Sequence, residues 1–113
     1  MAYSRVTPRA RQGTTGINVE QDVTAGNGVF INPPDRVAAV TIAVHITSNS
    51  GSFTIETSCN RPETLGENAT GGYWDEVYPG LTLNEDTVVM IANAVTGIRV
   101  NCISGAINVA FCG

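Results

Sequence analysis

The chain has 113 residues, six cationic against ten acidic side chains, a formal charge of −4 and only 14% charged residues. That length fits one domain whose core needs no disulfides. A charge content well below the roughly 25% of ordinary soluble domains suits a surface held against partners, and the negative balance argues against nucleic acid as a partner.

The first element is an arm. Every cation is an arginine, and Arg5, Arg9 and Arg11 precede any core-forming pattern. Residues 12–113 hold Arg36, Arg61 and Arg99 against ten acids, 3 − 10 = −7. Residues 1–14 are therefore expected to form an extended basic arm, and residues 15–113 a β-sandwich domain. Arginine binds carboxylates bidentately, and an extended segment can add a strand to a neighbouring sheet edge. Such an arm suits an acidic partner surface, a second copy of this chain included.

A first strand is expected near residues 17–24, marked by Ile17, Val19 and Val23, followed by an Ala25-Gly26-Asn27-Gly28 turn into Val29-Phe30-Ile31. Asn32-Pro33-Pro34-Asp35 reads as a rigid corner, because proline fixes φ and removes a donor. Next, Val40, Ile42, Val44 and Ile46 alternate with polar or small residues, and Phe53, Ile55, Thr57 and Cys59 do the same after Ser48-Asn49-Ser50-Gly51. Read as a hairpin, this places Ile46 opposite Phe53, Val44 opposite Ile55 and Val40 opposite Cys59.

Residues 62–72, with Gly66, Asn68, Gly71 and Gly72, are expected to be an exposed loop. It leads into Tyr73, Trp74 and Tyr78, three of the seven aromatic residues. Residues 87–92 form another apolar run, with Asn93-Ala94 as a turn. Finally, Ile98, Val100 and Cys102, then Ser104-Gly105, then Ile107, Val109 and Phe111 read as a second hairpin. Its register pairs Cys102 with Ile107, Val100 with Val109, Ile98 with Phe111 and Asn101 with Asn108, leaving Cys112 outward beside Gly97. About seven to eight such strands predict an all-β fold, a single antiparallel β-sandwich or jelly roll.

Few constellations carry chemistry. Cys59, Cys102 and Cys112 have no metal-ligand spacing and read as reduced thiols, so neither a metal nor another cofactor is expected. His45 and Glu56 share the polar face of the first expected hairpin, but no motif supplies a nucleophile beside them, and a surface imidazole is the expectation. Asp75-Glu76 and Glu85-Asp86 are adjacent carboxylates, which point to opposite faces of a strand and make no site alone. Tyr73, Trp74 and Tyr78 are a candidate ligand platform for a sugar, set against Trp74 plugging one end of the sandwich. Asn68-Ala69-Thr70 matches a glycosylation acceptor and reads as an ordinary loop. No apolar signal segment opens the chain and no run is long enough to span a membrane, so synthesis in the cytoplasm is expected.

The aromatic-acidic lead Tyr73-Trp74-Asp75, an apolar strand, then Val95-Thr96-Gly97-Ile98-Arg99-Val100-Asn101 and Ser104-Gly105 resemble small β-sandwich structural proteins of tailed-phage virions. Within that class, a short chain with an N-terminal arm is most similar to capsid decoration (cement) proteins. The resemblance implies a non-enzymatic protein on the head surface, bound to the major capsid protein and assembled as a dimer or trimer. A carbohydrate-binding or host-attachment module using Tyr73, Trp74 and Tyr78 is the alternative.

Overall fold

A computed structural model describes residues 2–7, 17–34, 37–92 and 95–113. Arg9 and Arg11 of the arm, Asp35 of the proline corner and the Asn93-Ala94 turn lie outside the described residues. Among the described residues the order is β1 (Ala2–Arg5), β2 (Asn18–Thr24), β3 (Asn27–Ile31), β4 (Val40–Ile46), β5 (Ser52–Ser58), the single-turn helix α1 (Pro62–Leu65), β6 (Asp75–Glu76), β7 (Thr87–Ile91), β8 (Gly97–Ser104) and β9 (Ala106–Cys112).

The fold is all-β and compatible with a β-sandwich. The first sheet runs β1-β3-β8-β5-β6 and the second β2-β9-β4-β7. The β1–β3 pair is parallel and the other pairs are antiparallel. Alternation places Val29, Ile31, Phe53, Ile55, Ile98, Val100 and Cys102 on the inner face of the first sheet. Val23, Val40, Ile42, Val44, Ile107, Val109 and Phe111 meet them from the second, in one buried cluster. Each such aliphatic or aromatic side chain contributes about 1.5–3 kcal/mol by leaving water.

Most of the core residues are the expected ones, but both expected hairpins are absent. β4 belongs to the second sheet and β5 to the first, so Ile46 pairs with Ile107 and Val44 with Val109, while Phe53 pairs with Cys102 and Ile55 with Val100. Ser104-Gly105 likewise carries the chain from β8 of the first sheet to β9 of the second. Ile98 therefore pairs with Ile31 and Thr57, and Phe111 with Val19 and Ile42. Asn101 pairs with Gly28 and Thr54, whereas Asn108 pairs with Asp22 and His45. Alternation states which side of a strand faces inward. It is the same whether the next strand lies alongside or across the core.

The β2–β3 turn crosses between sheets as well, and the three crossings lock together at one end. Ala25 N donates to Gly105 O (3.0 Å), Gly26 N to Cys102 O (3.1 Å) and Thr47 N to Ala106 O (3.0 Å). Gly105 has φ +66°, and a Cβ there would stand 2.8 Å from the Gly51 backbone, so this corner requires glycine.

Two smaller expectations are corrected. β5 ends at Ser58, so Cys59 is exposed rather than inward, and Cys112 pairs beside Thr41 and Asn18 rather than near Gly97. The stretch 62–72 is not wholly an exposed loop. Pro62 starts the one-turn helix and Gly66, at φ +78°, ends it, which drops Leu65 and then Ala69 into full burial. Leu65 packs against Gly97, over the outside of the first sheet.

Candidate functional site

The outer face of the first sheet carries a charged centre. Arg99 is an outward position of β8, with Phe30 of β3 on one side and Glu56 of β5 on the other. Its Nε donates to Glu56 Oε1 at 3.0 Å, its Nη2 to Glu56 Oε2 at 3.3 Å and its Nη1 to Ala69 O at 2.6 Å. The guanidinium carbon lies 4.2 Å from the centre of the Trp74 ring and 4.7 Å from that of Tyr3. Both charged side chains are only 14% exposed. A forked, largely desolvated contact of this kind is stronger than an exposed ion pair.

Neighbouring side chains extend the centre. Asn101, one step along the same face of β8, is 5% exposed and donates through Nδ2 to Thr54 Oγ1 (2.9 Å) and to Glu56 Oε1. Its Oδ1 is buried without a hydrogen-bond partner among the described residues. Trp74 Nε1 donates to Gly71 O at 2.9 Å, and a Cβ on Gly97 would lie 2.8 Å from the Trp74 ring. Tyr3 lies against Gly28, where a Cβ would stand 2.7 Å from the tyrosine ring. Burial raises the Tyr3 hydroxyl above the usual tyrosine range; Arg99 works against this and Glu56 with it.

β1 completes this edge. Arg5 pairs with Phe30, and its guanidinium carbon lies 5.1 Å above that ring. Val6 N donates to Phe30 O at 2.9 Å, and Val6 itself turns into the core. The described portion of the arm, β1 with Arg5, lies on the first sheet of its own chain.

The outer face of the second sheet differs. Asp22, Asn108, His45 and Asp86 form a polar row across it: Asn108 Nδ2 donates to Asp22 Oδ1 (2.9 Å), and His45 Nδ1 lies 3.3 Å from Asp86 Oδ2. Asp86 Oδ1 also accepts Ile46 N–H at 2.8 Å. That backbone bond first, and His45 second, hold the Asp86 carboxyl below its ordinary range. His45 and Glu56, expected on one face, therefore stand on opposite outer faces. Beside the row, β7 exposes Val88 (66%) and Met90 (63%) next to Ala43 and Thr41 of β4. Ala110 and Cys112 of β9 continue the same face.

The candidate aromatic platform is divided. Tyr73 is 83% exposed, held by its backbone N–H to Asn60 Oδ1 (2.6 Å) and its carbonyl to Ser58 Oγ (2.7 Å). Trp74 faces Arg99 and Gly97 instead, and Tyr78 is half-buried. Asp75 and Glu76 form the short strand β6 against Thr57 and Glu56, and Glu76 accepts Gly80 N–H. Among the described residues no group of three or more histidine, cysteine or acidic side chains could hold a metal ion. No helix among them is long and apolar enough to cross a membrane.

Sequence reasoning missed the Tyr3–Arg99–Glu56 centre. The available signal was a pair of opposite charges at outward mid-strand positions in a charge-poor chain. Comparison with protein-family models, with curated proteins and with solved structures finds no match to this chain.

Proposed function

We propose that this protein is a non-enzymatic virion structural protein, a capsid decoration (cement) protein that binds the outside of the assembled head and stabilises it. The observation that carries this reading is β7. It is an uncharged edge strand, Thr87-Val88-Val89-Met90-Ile91, with two large apolar side chains in solvent. Free proteins blunt sheet edges with charge, proline or shortness. The β2 edge of the same sheet carries Glu20 and Asp22, and the β6 edge of the other is two acidic residues long. The β7 edge and the small-residue face behind it suit a flat partner surface such as a shell lattice.

The strand order supports a finer reading of the fold. Counted from β2, one sheet takes strands one, eight, three and six and the other two, seven, four and five, with β1 added at an edge. We read this order as that of a jelly roll, an architecture common in capsid proteins and in lectins. Stabilisation would follow from mass action: a protein that binds only the assembled shell lowers that state's free energy, and many copies add avidity.

The test is cosedimentation with purified heads. The protein is expected to bind saturably, and Val88→Lys with Met90→Lys is expected to abolish binding without a change in melting temperature. Absence of binding by the unaltered protein overturns the reading. A glycan array tests the attachment alternative, which rests on the exposed Tyr73 ring; sugar binding lost in Tyr73→Ala would favour that module.

A further inference from the structure

We infer that the edge of the first sheet beside β3 is a recognition groove for an extended peptide, and that its intermolecular occupant is the N-terminal strand of a second copy. The groove's ligand is visible in the molecule, because β1 occupies it. Four backbone positions pair in parallel with β3, from Ala2 opposite Asn27 to Arg5 opposite Phe30. Ala2 N donates to Gly26 O (3.3 Å) and Val6 N to Phe30 O (2.9 Å) beyond the paired region.

Side chains set the register. Tyr3 fills a slot floored by Gly28, which admits the ring only because it has no side chain, and walled by the Arg99 guanidinium. Arg5 covers Phe30, which is 1% exposed although it points away from the inter-sheet core. Val6 adds the inward contact. The preference is therefore aromatic, any residue, arginine, aliphatic. That is β-augmentation with pockets for alternate side chains.

Exchange between copies follows from the topology. β1 and β3 are parallel, so no tight hairpin ties them, and residues 6–17 and all of β2 separate them in the chain. A strand whose position is set by pockets rather than by a turn makes the same contacts whichever chain supplies it. The choice between the two then depends on protein concentration against the tether's effective concentration. This deepens the assembly reading by naming the partner of the arm, but the experiment contains no capsid. Its failure is thus distinct from failure to bind heads.

In a Cys59→Ser, Cys112→Ser background, full-length Ala2→Cys chains are mixed with full-length Asn27→Cys chains. These positions are Cα partners, and both are exposed. The mixture is refolded at protein concentrations on the order of millimolar, as for a short tether, then oxidised. A disulfide-linked heterodimer is expected. Its yield should fall at least about tenfold when Tyr3→Ala is added to the Ala2→Cys chain, or when the peptide Ala-Tyr-Ser-Arg-Val-Thr is in excess. The same peptide with alanine for tyrosine should have no effect. If the Ala2→Cys, Asn27→Cys double variant closes within one chain while the mixture gives no heterodimer, the strand does not exchange and the proposal is overturned. A heterodimer indifferent to Tyr3→Ala and to the peptide overturns it equally.

Discussion

Arg99→Ala is expected to be among the most damaging single changes outside the core. The substitution removes two donated hydrogen bonds to Glu56, one to Ala69 O and the cation that both Tyr3 and Trp74 face. It also leaves the Glu56 carboxylate, 14% exposed in the intact protein, with no countercharge beside it. An exposed pair is worth about 0–1 kcal/mol, whereas removing one partner of a buried pair costs about 3–5 kcal/mol. The low exposure and the carbonyl contact place this pair near the second case. A loss of about 3–5 kcal/mol is a large share of the 5–15 kcal/mol typical of a domain. At about 4 °C per kcal/mol it lowers the melting temperature by roughly 12–20 °C. Urea titration measures it, with the slope checked for constancy. The double variant Glu56→Gln, Arg99→Met is expected to recover most of the loss, because no charge is then stranded. A cost below about 1 kcal/mol for Arg99→Ala would show that water reaches the pair and that the centre is ordinary surface.

Three further outcomes follow from the same geometry. Tyr3 has a raised folded pKa, so its contribution is fully present below the unfolded value near 10 and is lost as pH rises through the folded one. Alkaline titration followed by tyrosinate absorbance should show a tyrosine titrating above the usual range, and Tyr3→Phe should remove it. Asp86 has a lowered folded pKa, so its contribution is present above the unfolded value near 3.9 and lost as pH falls through the folded one. Melting temperatures measured from neutral pH downward should fall less steeply for Asp86→Asn than for the unaltered chain. Gly97→Ala would place a Cβ 2.8 Å from the Trp74 ring and 2.9 Å from Leu65. It should cost about 1–3 kcal/mol by overpacking and red-shift the emission of the sole tryptophan.

Much of the core was legible because it depends on local alternation alone. Val40, Ile42, Val44, Phe53, Ile55, Ile98, Val100, Ile107, Val109 and Phe111 are all buried as their spacing indicates. The pairing was not legible, because Ser104-Gly105 looks the same closing a hairpin or turning a corner. What decides is contact between turns distant in sequence. Gly105 abuts Ser48 and Gly51, and its carbonyl accepts from Ala25, so the corner exists only when the β2–β3 and β4–β5 crossings are already beside it. The same misreading put His45 and Glu56 on one face; once β4 and β5 part, they stand on opposite outer faces.

The charged centre escaped for the opposite reason. Each of its members is explicable alone: Tyr3 in an arm, Gly28 in a turn, Glu56 and Arg99 as outward strand positions, Trp74 in an aromatic cluster. Only the tertiary arrangement brings Tyr3 to Arg99, and it does so by bringing β1 alongside β3, which itself borders β8. Arg99 is then the point where the N-terminal strand, β5, β8 and the segment carrying Ala69 and Trp74 converge. Loss of the Tyr3 contact removes one face of the guanidinium's enclosure while leaving the Glu56 and Ala69 bonds intact. The grip on β1 is therefore separable from the ion pair. Tyr3→Ala should weaken the hold on β1 while leaving the Arg99–Glu56 contact in place, so its cost is expected to stay below that of Arg99→Ala.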